Sequence, residues 1–192
     1  MRGVSSTGFT LMEMLAVILI IGILASIAIP QYQKAVTKSR AANLQTMLAE
    51  VVRAANAYHL QYRKWPTTFD QLDLHFSMPQ LGSWKAACGR DLVAGATLKG
   101  KDFEISLYNG GVGKRYRVFA YFTTGKYKCR GFIHSFDEND DRVNARYNHK
   151  TFCAESYYNL ACGTDCENGI FCKNVMGKKK DSYFATIYRY TM

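Results

Sequence analysis

The sequence predicts an α+β chain. One long N-terminal helix, membrane-spanning in its first half and amphipathic in its second, is expected to pack on a C-terminal antiparallel β-sheet. Three observations predict this. Met14 to Ile29 (MLAVILIIGILASIAI) holds no charged residue. Apolar residues then recur at steps of three and four, at Leu44, Met47, Leu48, Val51, Ala55, Tyr58 and Tyr62, the stripe of a helix with one buried face. Beyond Phe103 the period falls to two, the repeat of a strand.

The first element is the longest apolar one. Phe9 to Ile29 is 21 residues, which at about 1.5 Å per residue makes a helix of roughly 31 Å, the thickness of one hydrocarbon core. A secretory signal peptide has a shorter apolar region and a small-residue cleavage site after it. Here Pro30 is followed by a polar stretch of helical period, so the helix is read as continuing. Residues 30–64 contain no Gly or Pro after Pro30 itself, and Pro66 is the expected stop. Residues 65–100 read as a connector in which Phe69, Leu72, Leu74 and Phe76 pack turns. Strands are expected at Phe103–Tyr108, Arg115–Thr123, Lys126–His134 and Tyr183–Thr191, divided by the Asn109-Gly110-Gly111 and Thr124-Gly125 turns.

Charge and cysteine content narrow the class. The chain of 192 residues carries 25 Lys+Arg against 15 Asp+Glu, a net charge of +10. Arg2 and Glu13 cancel within residues 1–30, so the whole excess belongs to the remainder. All six cysteines lie there as well, at Cys88, Cys129, Cys153, Cys162, Cys166 and Cys172. This is not the make-up of a plain cytosolic enzyme; disulfides belong to an oxidising compartment. Six cysteines allow about 15 pairings, among which the sequence does not choose. The last four lack the paired CxxC knuckles of a structural zinc site, so no metal is expected.

Glu13 stands out. A carboxylate at the centre of a membrane span costs roughly 2.5–3.5 kcal/mol on insertion scales, and such a residue is by default functional and in need of a cationic partner.

Gly8-Phe9-Thr10-Leu11-Met12-Glu13, followed by the apolar run and Pro30, resembles the prepilin signature of type IV pilins and pseudopilins. The resemblance implies a leader of residues 1–8, a transmembrane half at 9–29, an amphipathic half at 30–64 and a globular head at 65–192. It implies cleavage between Gly8 and Phe9 by a prepilin peptidase, methylation of the new Phe9 amine, and pairing of Glu13 with that amine on a neighbouring subunit during assembly. Gly22 and Pro30 match the positions between which pilin helices unwind in filaments, and both are poor residues for a helix interior. Cys153 with Cys172 resembles the disulfide that closes a pilin's C-terminal loop; Cys162–Cys166 and Cys88–Cys129 complete the expected set. Two features depart from the family: the leader carries the single basic residue Arg2, and Lys34, Lys38 and Arg40 follow the span closely. A count of these charges places the C-terminal side in the cytoplasm, whereas the resemblance and the cysteines place it in the periplasm.

The remaining constellations are weaker. Gly95 to Lys101 fits GxxxxGK, but Asp102 stands where a phosphate-binding loop has Ser or Thr. Asp137-Glu138-Asn139-Asp140-Asp141 begins like a calcium loop, yet Arg142 replaces its Gly. The four histidines show no catalytic arrangement, and no cofactor is implied. A two-residue loop at Thr124-Gly125 would bring Arg115, Arg117, Lys126, Lys128 and Arg130 to one sheet face with Phe119, Tyr121 and Phe132, a candidate nucleic-acid face. The expected function is therefore a non-enzymatic structural subunit of a pilus-like filament. Its partners would be copies of itself or other pilins, the peptidase, inner-membrane assembly machinery and the bilayer. A DNA-binding minor pilin and a type II secretion pseudopilin are the alternatives.

Overall fold

The computed structural model of the chain describes residues 10–81, 84–85, 91–92, 96–109, 116–136, 148–155, 169–184 and 187–191. Its first element, α1 (Leu11–Tyr62), is one helix of 52 residues with Pro30 inside it. The chain divides into two compact units, Met1–Ser39 and Arg40–Met192, so the second unit takes its own share of α1, residues 40–62, where the sequence suggested a boundary at 65.

Within the second unit, α1 buries Ala41, Leu44, Leu48, Val51 and Ala55, which recur every three or four residues and so line one face. Each fully buried Leu or Val contributes about 1.5–3 kcal/mol over exposure. Met47 and Tyr58 pack partly against this core, while Tyr62, expected on the stripe, is 54% exposed. The reason is that the helix ends there. Arg63 takes a left-handed φ of 54° and its N–H donates to the His59 carbonyl at 2.8 Å, an αL helix stop placed before Pro66. Trp65 then folds back, stacking on His59 at 3.9 Å and on Tyr116 at 4.5 Å between ring centres.

The helix packs on an antiparallel sheet built from β1 (Gln80–Leu81), β4 (Thr97–Lys99), β5 (Phe103–Asn109), β6 (Tyr116–Phe122), β7 (Gly131–Ser135), β8 (Lys150–Ala154), β9 (Lys180–Phe184) and β10 (Ile187–Thr191). Their order is β1-β4-β5-β6-β7-β8-β10-β9, and β2 (Trp84–Lys85) pairs separately with β3 (Asp91–Leu92). Every residue of the central β6 is buried. Tyr116, Val118, Ala120 and Phe122 join the core under the helix. On the opposite face Tyr121 donates its hydroxyl to Glu104 at 2.9 Å, and the Thr97 and Ser106 hydroxyls meet at 2.9 Å.

Three strand expectations are corrected. Lys126–His134 is not one strand: β7 begins at Gly131. Lys126–Cys129 instead form a turn, held by Lys128 N–H to the Gly125 carbonyl and Arg130 N–H to the Tyr127 carbonyl, both 3.1 Å. Gly131 must be glycine, because a Cβ there would sit 2.0 Å from the Ala120 carbonyl oxygen. Tyr183–Thr191 is two antiparallel strands, with Phe184 opposite Ile187. Finally β8 was not anticipated; it fills the place between β7 and β10.

His134, on the core side of β7, is buried and its Nδ1 lies 2.8 Å from Thr151 Oγ1. Burial, and then the charge of nearby His149, push its pKa down to about 4. The unfolded chain, with a His near 6.5, binds that proton more readily. Stability is therefore complete above about pH 6.5 and is lost as pH falls from there toward 4. Thermal melts at about pH 7 and pH 5 should show a larger loss of Tm for the native chain than for His134→Asn; equal losses would contradict the assignment.

Candidate functional site

The residues with functional promise form two groups, one at each unit. In the first unit, the helix starts at Leu11 with Thr10 as its N-cap. The Glu13 carboxylate accepts hydrogen bonds from the Thr10 backbone N–H and hydroxyl, both at 2.8 Å, and Glu13 N–H donates to Thr10 Oγ1 at 3.3 Å. This is a reciprocal capping box. The carboxylate is thus oriented at the positive end of the helix dipole by neutral donors, and its negative charge still calls for a cation. The motif Thr-x-x-Glu before an apolar run was readable in the sequence.

Behind Glu13 the helix presents its apolar side chains outward all round. Leu11, Met12, Ile18, Leu19, Leu24 and Ile27 are each 61–78% exposed. A helix apolar on every side belongs in lipid or among other helices. Gly22 leaves a shallow notch between Leu15, Ile18, Leu19, Ile23 and Ser26. Pro30 has no N–H to offer the Ser26 carbonyl. Both stand within regular helix here, although each is a poor residue for a helix interior. Gly8 and Phe9 lie outside the described residues.

In the second unit a buried polar hub joins three segments. Glu155, 1% exposed, accepts from Arg130 Nε at 3.1 Å through one oxygen; its other oxygen accepts from Phe171 N–H at 2.9 Å and from Cys172 N–H. Arg130 also donates to the Lys126 and Lys128 carbonyls at 3.2 and 3.4 Å. Burial pushes the Glu155 pKa up, opposed by Cys172 N–H, Arg130 and Phe171 N–H. The hub thus ties the Lys126–Cys129 turn to the C-terminal segment. Cys153 and Cys172 are joined by a disulfide across a separation of 19 residues, Cα to Cα 5.8 Å. Closing a loop of that size stabilises by roughly 3 kcal/mol in the chain-entropy model. Cys129 is disulfide-bonded too. The pairings proposed for Cys88, Cys162 and Cys166 lie outside the described residues.

The candidate nucleic-acid face does not form. The β6–β7 register pairs Arg117 with Ser135 and Phe119 with Ile133, three residues beyond that of a two-residue loop. Lys126 and Lys128 therefore lie in the turn and not on a strand. Arg130 is 8% and Arg117 5% exposed, so neither guanidinium is offered to a ligand. Arg115 is outside the described residues, as is the Asp137–Asp141 segment. Among the described residues no group of three or more His, Cys, Asp or Glu is placed to hold a metal.

The comparison with known proteins falls on one kind of protein. The chain is 37% identical over 59 residues to the type IV major pilin protein PilE1 of Neisseria gonorrhoeae, 31% of this chain and 36% of that one. To the fimbrial protein EcpC of Eikenella corrodens it is 41% identical over 59 residues, 31% of this chain and 39% of the other. To the type II secretion system core protein G of Klebsiella michiganensis it is 32% identical over 81 residues, 42% and 57% of the two chains. The chain is related to type IV pilins and pseudopilins. These relatives are structural proteins and not enzymes. The match spans about a third of the pilins' length and just over half of the core protein's. No family model and no solved structure matches the chain.

Removing the hub carboxylate strands a buried guanidinium. Glu155→Ala should cost roughly 3–5 kcal/mol in urea unfolding of the oxidised chain in micelles. A loss below about 1 kcal/mol would mean that Arg130 is satisfied without its partner.

Proposed function

We propose that this chain is a structural subunit of a type IV pilus-like filament, made as a prepilin. Residues 9–29 hold it in the bacterial inner membrane with the globular part in the periplasm, and the same residues become the core of the filament on assembly. The observation that carries this reading is the pairing of two kinds of surface on one helix: a first half with its apolar side chains bare and a carboxylate in its first turn, and a second half already buried in its own head. A soluble protein gains nothing from the first half, whereas a polymer of helices in lipid needs it.

Processing would remove residues 1–8 and leave an amine on Phe9, four residues before Glu13. That amine is the cation the segment itself offers, since Lys34 is about 30 Å away along a helix. Pairing Glu13 of an incoming subunit with the Phe9 amine of its neighbour would fix the register of one helix against the next. Type II secretion is the second reading, favoured by the longer alignments to core protein G, 76 and 81 residues. Electron microscopy of sheared surface fibres, with mass spectrometry of their protein, separates the two. A surface pilin is a component of those fibres; a periplasmic pseudopilin is absent from them.

The mature chain should begin at Phe9. N-terminal mass analysis finding Met1 intact, or a cut after Ala25 or Ala28, would overturn the processing step. Glu13→Leu should insert and be cleaved normally, because it removes a carboxylate that costs up to a few kcal/mol in lipid, and should fail to enter filaments. A normal yield of fibres from that variant would show that the carboxylate is not the assembly contact.

A further inference from the structure

Among the described residues of the second unit, five lysines gather at one end. The chain joins it at Arg40, which forms an ion pair with Asp102 at 3.6 Å, and the Asp102 carbonyl accepts from Thr123 N–H at 2.9 Å. The loop from Thr123 to Arg130 therefore lies at the Arg40 end of the sheet. Trp65 and Tyr116 mark the opposite end, seven residues of β6 away, about 20 Å. The segment around Lys173 belongs to the Arg40 end as well. Phe171 packs within 5.6–6.0 Å of the rings of Tyr127, Phe122 and Phe132, and the Glu155 hub clamps it to the same loop.

Lys101, Lys126, Lys128 and Lys173 are exposed at this end, with Lys178 half-buried beside them. The carboxylates described there are already engaged: Asp102 with Arg40, Glu155 with Arg130, Glu104 with the Tyr121 hydroxyl. None of the five lysines pairs with a described carboxylate. Among the described residues, the hub thus consumes negative charge inside and leaves lysines outside.

We propose that this Arg40 end is a binding face for the phosphates of anionic phospholipid headgroups, with Lys101, Lys126, Lys128 and Lys173 as its contacts. The inference rests on the anchoring role proposed for residues 9–29. Chain length selects the occupant. Arg40 follows Ile29 by eleven residues, a tether of at most about 40 Å even when fully extended, which keeps this end within reach of the surface of a membrane that holds the span. Cations within about a Debye length of an anionic leaflet are drawn to it. A nucleic acid would be the other phosphate-bearing partner, but the half-buried aromatic residues described here, Phe103 and Tyr127, both pack against the core, which is no platform for stacked bases. The face would hold the head on the bilayer before assembly and release it when the subunit leaves the lipid.

The test uses the full chain in nanodiscs of phosphatidylcholine alone or with phosphatidylglycerol. A water-soluble amine-acylating reagent is applied, and modification is read at each lysine by mass spectrometry. Lys126, Lys128 and Lys173 should react roughly threefold more slowly in the anionic discs, the difference should vanish at high salt, and exposed Lys64 at the opposite end should not change. In the triple variant K126Q/K128Q/K173Q the slowing at Lys101 should shrink. Equal rates in both discs would overturn the proposal while leaving the anchor intact. So would protection of the same lysines by duplex DNA in neutral discs without any effect of phosphatidylglycerol. A chain that enters neither disc would overturn the anchor and this face together.

Discussion

The apolar side chains between Leu11 and Ile29 find no cover within the chain itself. Ile18, Leu19, Leu24 and Ile27 each leave more than 60% of their surface bare, and water tolerates such surface at a cost of roughly 25 cal/mol per Å². Something else must cover it, either lipid or other apolar helices. Both environments are apolar, so moving from one to the other changes little hydrophobic energy. What decides the transfer is packing and the pairing of polar groups. On the proposed reading Glu13, oriented by Thr10 at the start of the helix, is the group whose pairing differs most between the two settings.

The second unit solves the opposite problem with the same helix. From Ala41 onward each turn contributes one or two buried residues, and the sheet supplies the other wall. Small side chains at Ala41 and Ala55 and large ones at Leu44, Leu48 and Val51 let helix and sheet approach closely. The C-terminal segment is then fastened three ways: by the Cys153–Cys172 disulfide, by Phe171 among the rings of Phe122, Tyr127 and Phe132, and by the Glu155 hub. A buried ion pair is weak as a source of net stability. Its value here is geometric, since Arg130 and Glu155 lie 25 residues apart in sequence and fix two turns against one another.

What could be read in the sequence was local and periodic. The helix and most of its buried positions follow from the spacing of apolar residues, and β5 and β6 from alternation between strong turn signals. The register of β7 did not follow. Lys126, Lys128 and Arg130 alternate with Tyr127 and Cys129 as a strand would, yet they make a turn, because Gly125 and Cys129 adopt left-handed φ of 77° and 64°. The partner that draws Arg130 inside, Glu155, is fixed only by the tertiary fold. That one non-local contact removed the guanidinium from the proposed basic face and left the lysines around it outside. The Thr10–Glu13 capping box is a different case. It is local, and its pattern was visible, but the carboxylate invites comparison with the membrane before comparison with its own first turn.

The most direct test of this division of one helix between two environments is the accessibility of its middle. A chain carrying Ile20→Cys is treated with a membrane-impermeant maleimide in intact membranes, in sheared fibres and after denaturation. The added thiol should be unreactive in the first two states and react fully in the third. Rapid labelling of Ile20→Cys in intact membranes would show that the apolar half is neither in lipid nor against other helices.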